Sequence, residues 1–231
     1  MPVIPVGIVN RSCLADADVS AGVAALRRQL REHLAPAWQV EAEIEIGAAP
    51  GRWTVLLRDR DSELAGYHEV TAEGLPLAII AIRPEREAQD WVHAASHELM
   101  EMLVDPDINL VALERPDGRG RLFAREICDP TAAYEDGYEL EGRWVSNFVY
   151  PAWFRPEGSG EPRQVDHRGL LRHPFEVRPG GYTAVFHAES GTWDALGSDG
   201  RESDAAEVDR RLRLRGSDRR HWRTSDMGWT D

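Results

Sequence analysis

The stretch LPLAIIAIR (75–83) limits the architecture most, because neither side of it is polar when the chain is extended. A strand apolar on both faces lies inside a sheet or beneath a helix, not at a solvated surface. The segments around it supply the other layers. PVGIVN (5–10) reads as a short, fully buried strand. Val19, Val23, Leu26, Leu30 and Leu34 step by three and four, which predicts a helix capped by Asp16 or Asp18 and ended by Pro36. WQVEAEIEIG (38–47) alternates, with Trp38, Val40, Ala42, Ile44 and Ile46 on one face and Glu41, Glu43 and Glu45 on the other. That is the pattern of a half-buried strand. RWTVLLRDR (52–60) is a further strand. Helical spacing returns from Glu87 to Val104, where Asp105-Pro106 stops it. The predicted order is β-α-β-β-β-α, in an α/β (α+β) chain.

The second half differs in kind. RLFAREICD (121–129) reads as one strand, YELEGRWVSNFVYPAWF (138–154) as a hairpin leading into aromatic-rich chain, and 178–196 as hairpin and turn. RPEGSGEPRQ (155–164) is a surface loop, and 197–231 a charged tail, solvent-exposed or disordered. We expect a single domain over 1–196, with a sheet-and-helix part at 1–106 and an irregular, aromatic-rich part at 107–196. A net charge of −13 argues against a nucleic-acid or anionic-membrane partner. No apolar run approaches the ~20 residues of a membrane span, and the N-terminus lacks a secretory pattern. With only Cys13 and Cys128, reduced thiols in the cytoplasm are the expectation.

HAASHELMEMLVDPD (93–107) sets two histidines, two glutamates and two aspartates among Leu99, Met102, Leu103 and Val104, the apolar side of a helix. His97 and Glu101 are one turn apart on one face, with Cβ atoms roughly 6 Å apart, so both can hold one metal ion. Glu98 follows about 100° further round, where H-E-x-x-H zinc hydrolases keep the glutamate that takes a proton from water. Here the motif is H-E-x-x-E, and carboxylate is an acceptable zinc ligand. Burying these groups without a partner would be costly. The β-α-β-β-β run before the motif is also the order that leads to the active-site helix of zincin-type metallopeptidases.

His93, His97, Glu101 and Asp105 share a stripe but cannot all bind one ion, since residues eight apart rise about 12 Å. We therefore pair His97 with Glu101, expect His93 to bond backbone or a nearby carboxylate, and give Asp105 the turn at the helix end. Catalytic zinc takes three protein ligands, and REICDP (125–130) is the natural source of the third. Glu126 or Asp129 is expected. Cys128 reads as a small buried hydrophobe, and Asp107 is an outside candidate. Ser96 reads as a packing residue. Tyr134, Tyr138 and Tyr150 can offer a phenol to an oxyanion, with packing as their default role.

ASHELMEMLVDPDINL, EICDP and VSNFVYPAWF resemble a bacterial family with an S-H-E-x-x-E-x-x-x-D-P core. GYHEVTAEGLPLAIIAI (66–82) and PFEVRPGGY (174–182) extend the resemblance to roughly residues 64–182. A looser version of the pattern is similar to the plant exordium-like, phosphate-induced proteins. The resemblance implies a metallopeptidase-like, zincin-like mixed sheet and helix carrying His97, Glu98 and Glu101, with a ligand or structural role for Glu126 and Asp129. The functional expectation is a zinc-dependent hydrolase acting on a peptide or protein, with Glu98 as general base. The alternatives are a non-catalytic, metal-stabilised binding module and a metal-free structural protein with a charged helix.

Overall fold

A computed structural model describes residues 2–59, 65–83, 90–114, 120–155 and 164–198. The chain is α+β. Its first half builds a five-stranded mixed sheet from β1 (Ile4–Arg11), β2 (Ala42–Ile46), β3 (Trp53–Asp59), β4 (Gly66–Val70) and β5 (Pro76–Ile82), in the order β2-β1-β3-β5-β4. All pairings are parallel except that of β4, which runs antiparallel to β5 at the end of the sheet. The expectation for 75–83 holds: β5 is interior, flanked by β3 and β4. Ala78, Ile80 and Ile82 enter the main core, while Leu77 and Ile79 pack with Tyr67 and Leu56 in a separate cluster.

Two helical segments cover this sheet. The first is α1 (Asp16–Gln29), which runs through a π-helical turn (Leu30–Leu34) into α2 (Ala35–Trp38). The second is α3 (Asp90–Val104), which packs on β4, β5 and α1. Several local expectations need correcting. Asp16 and Asp18 lie in the first turn of α1, where they favour the helix dipole, while Ala15 holds the N-cap position. Pro36 does not end the helix; it sits in the first turn of α2, where a missing N–H costs little. The stop is Gln39, in the left-handed region at φ 55°. Trp38 therefore belongs to α2, where its indole N–H donates to the Val149 carbonyl at 2.9 Å. The alternating strand shrinks to Ala42–Ile46, and Ile46 at its end is half exposed.

The second half holds more regular structure than its sequence suggests. A four-stranded sheet, β11-β10-β7-β6, is formed by β6 (Val111–Leu113), β7 (Arg121–Ala124), β10 (Tyr182–His187) and β11 (Thr192–Gly197). The expected hairpins are present: β10 with β11, and β8 (Tyr138–Leu140) with β9 (Arg143–Val145). The single strand expected over 121–129 is not, since β7 ends at Ala124 and a 3₁₀ turn (Asp129–Thr131) follows. One hydrophobic cluster runs from Val6 and Ile8 through Leu99 and Met102 to Phe123, Trp153 and Val185, so both sheets share it. Among the described residues, no helix is long and apolar enough to cross a membrane. The charged tail from 199 onward, most of the loop at 155–164 and the expected helix start at Glu87 lie outside the described residues.

Candidate metal centre

α3 is buried on nearly every side. Leu99, Met100 and Met102 join the hydrophobic core, while His97, Glu98 and Glu101 are buried on the side facing the Arg125–Thr131 segment and β4. His97 Nε2 lies 3.3 Å from Glu101 Oε2 and 3.2 Å from Asp129 Oδ1. One imidazole nitrogen thus faces two carboxylate oxygens. A single N–H serves one of them; a cation serves both. In a tetrahedral shell with bonds of 2.0–2.1 Å, ligand atoms stand about 3.3 Å apart, and both separations from His97 match that, with all three donors within 4.8 Å of one another. The residues present fit a zinc ion.

Local folding explains why Asp129 is there. The backbone N–H groups of Cys128 and Asp129 both donate to Glu101 Oε1, at 3.0 and 3.2 Å. Donors bonded to a side chain are not available to a strand partner, and a 3₁₀ turn (Asp129–Thr131) stands here in place of strand. The turn is held from behind by Gly181: a Cβ there would fall 2.5 Å from the Pro130 carbonyl oxygen. The same oxygen accepts the Arg178 N–H at 2.9 Å.

His68 completes the cluster, and the sequence reading missed it. It lies in β4 opposite Ala78 and is buried. Its Nδ1 is 3.1 Å from Glu98 Oε2 and 4.0 Å from Glu101 Oε2, and its Nε2 is 3.8 Å from Glu126 Oε2. Gly66, two residues earlier on the same face, makes the approach possible, since a Cβ there would fall 2.9 Å from Glu98 Cγ. The signal was the short GYHEV stretch, whose glycine and histidine two apart share a face on an extended chain. Its five residues were too few to read as a strand without β5 beside them.

The fields are strong. Burial opposes charge on His97, but Glu101, the contact with Asp129 and the nearby Glu98 outweigh it, so its pKa stands well above the ordinary value in the ion-free chain. His68 behaves alike: burial opposes its charge, but Glu98, Glu126 and Glu101 raise its pKa. His93 goes the other way, lowered to about 3 by burial and by His97. Its Nε2 has no hydrogen-bond partner among the described residues, and its ring lies 5.1 Å from that of Tyr134.

Asp105 caps the helix-end turn as expected, accepting the N–H groups of Asn109 at 2.9 Å and Leu110 at 3.0 Å. Asp107 is exposed and in neither His/carboxylate cluster. Glu126 is brought to His68, not into the His97 trio. Cys128 is a buried core residue with its thiol pKa pushed well up by burial, and both cysteines are free thiols. Ser96 is more than packing: its hydroxyl donates to the His93 carbonyl and accepts the Ser146 N–H at 2.7 Å, tying α3 to the end of β9. Tyr138 and Tyr150 bond to His33 and His167, away from the trio, and Tyr134 is exposed beside His93. No family model, curated protein or solved structure matches the chain.

Proposed function

We propose that the chain is a zinc-dependent hydrolase of peptide or related amide bonds, with His97, Glu101 and Asp129 as ligands and Glu98 as general base. The observation that carries this reading is the meeting of three buried donors, with His97 Nε2 3.2–3.3 Å from a carboxylate oxygen of both Glu101 and Asp129 and the Glu98 carboxylate beside them but outside the trio. A zinc ion held there supplies Lewis acidity, polarising an acyl carbonyl and lowering the pKa of water to ~7. Glu98 accepts the proton of the attacking water at its carboxylate and passes it to the leaving amine. His68 orients Glu98 through the 3.1 Å contact at Oε2. A peptide is the proposed substrate, and β4, which carries His68, is the last strand of its sheet among the described residues, the position at which an extended chain can add as a further strand. The resemblance over residues 64–182 supports the same reading. A cytoplasmic location belongs to the proposal and is supported by the two free thiols.

The burial of the cluster favours a second reading, a non-catalytic site that clamps α3 to the 125–131 segment. Glu98 is 3% and His97 7% exposed, and structural zinc sites are closed. Elemental analysis of the purified chain, followed by Glu98→Gln, separates the two. The expected result is stoichiometric zinc in wild type, its loss in the His97→Ala, Glu101→Ala double variant, and unchanged zinc with at least ~100-fold slower hydrolysis in Glu98→Gln. Zinc retained by the double variant would overturn the ligand assignment. Zinc-loaded protein inert across broad peptide libraries would favour the structural clamp.

A further inference from the structure

We propose that His68, Glu98 and Glu101 form a second divalent-cation site beside the first, and that an ion bound there takes Glu98 out of acid–base work. The inference rests on the metal-centre reading above and adds a regulatory site to it. The three residues offer donor atoms all within 4.8 Å of one another, and all three are buried. Glu101 stands between the two groups. With Oε1 held by two backbone N–H groups, its Oε2 faces both imidazoles, 3.3 Å from His97 Nε2 and 4.0 Å from His68 Nδ1. A carboxylate oxygen so placed can bridge two ions.

The ring of His68 is buried and its two nitrogens face different carboxylates. Nδ1 faces Glu98 and Glu101, whereas Nε2 faces Glu126 Oε2 at 3.8 Å. Nδ1 is therefore the donor that would hold the ion together with Glu98 and Glu101, and Glu126 stays outside that group. The missing side chain at Gly66 keeps room for Glu98 against β4. One imidazole and two carboxylates suit zinc or manganese. Because Glu101 is shared and Glu98 is spent as a ligand, the second ion binds more weakly, and only when the metal is in excess.

The test is a zinc titration of the full, chelator-stripped chain, followed by calorimetry and native mass spectrometry. Wild type should take up two equivalents in two steps. His68→Gln and His68→Ala should abolish the weaker step and keep the stronger, and Glu98→Gln should weaken the second step alone. Saturation at one equivalent in wild type, or two equivalents retained by folded His68→Gln, would overturn the second site. A single equivalent lost in His97→Ala leaves the catalytic reading standing while this one fails, whereas no zinc uptake at all defeats both. If His68→Ala fails to fold, the Gln variants decide.

Discussion

Glu101 uses its two oxygens for different purposes. Oε1 accepts the Cys128 and Asp129 N–H groups, and Oε2 points at the imidazoles. Glu101→Gln keeps a carbonyl oxygen for the backbone but puts an NH2 where a ligand is needed. It should fold like wild type and lose zinc. Glu101→Ala strands two buried N–H groups as well, each costing about 1–3 kcal/mol, so its melting temperature should fall clearly below that of the Gln variant. Equal melting temperatures would mean that water satisfies those donors. Asp129 and Glu126 are separated in the same way. Asp129→Asn should abolish tight zinc binding, while Glu126→Gln, outside the trio, should cost no more than the 10- to 100-fold typical of groups behind the ligands. The reverse order in a competition assay with a chelating dye would make Glu126 the ligand.

Between elements, the position of α3 depends on close approach to α1. A Cβ on Gly22 would fall 2.2 Å from Trp91 Cζ2 and 2.9 Å from Val92 Cγ2, and Trp91 is buried. Gly22→Ala gains about 1 kcal/mol in helix propensity, yet overpacking of this kind costs about 1–3 kcal/mol. The urea midpoint should therefore fall or at best hold, and a clear rise would mean that the helices part freely. The π-helical turn carries a second contact. His33 stacks on His167 with ring centroids 4.4 Å apart, and their Nδ1 atoms meet the Tyr138 and Tyr150 hydroxyls. Burial lowers both pKa values, that of His167 to about 4 with help from His33. These rings are neutral when folded and take up a proton when unfolded below about pH 6.5, so stability is lost as pH falls from about 6.5 toward 4. His167→Asn should flatten that limb of the stability–pH curve.

For the molecule as a whole, the metal changes how stability depends on pH. In the stripped chain, His97 and His68 have pKa values raised from 6.5 by buried carboxylates. Such groups stabilise the fold fully below the unfolded pKa, and that contribution fades as pH rises through the folded value. With zinc bound, the ligands are deprotonated in the fold, so stability grows with pH up to the unfolded histidine pKa of about 6.5 and levels off above it. Melting curves of loaded and stripped protein should diverge steadily above about pH 6.5. Parallel curves would show that His97 does not exchange a proton for metal.

Much of this molecule is legible from local pattern. Two-sided apolarity at 75–83 implies an interior strand, and the spacing of His97, Glu98 and Glu101 places them on one helix, because strand and helix periods are local geometry. Asp105 before proline implies its turn for the same reason. The partners on the other side of the site were not legible. Whether Glu126 or Asp129 meets His97 depends on the path of the chain after β7, and Glu101, more than twenty residues away, helps fix that path by accepting the Cys128 and Asp129 N–H groups. His68 in a five-residue segment becomes part of the site only once β4 pairs with β5 and Gly66 admits Glu98. Sequence periodicity reports which face of an element is buried; what that face meets is decided by long-range packing.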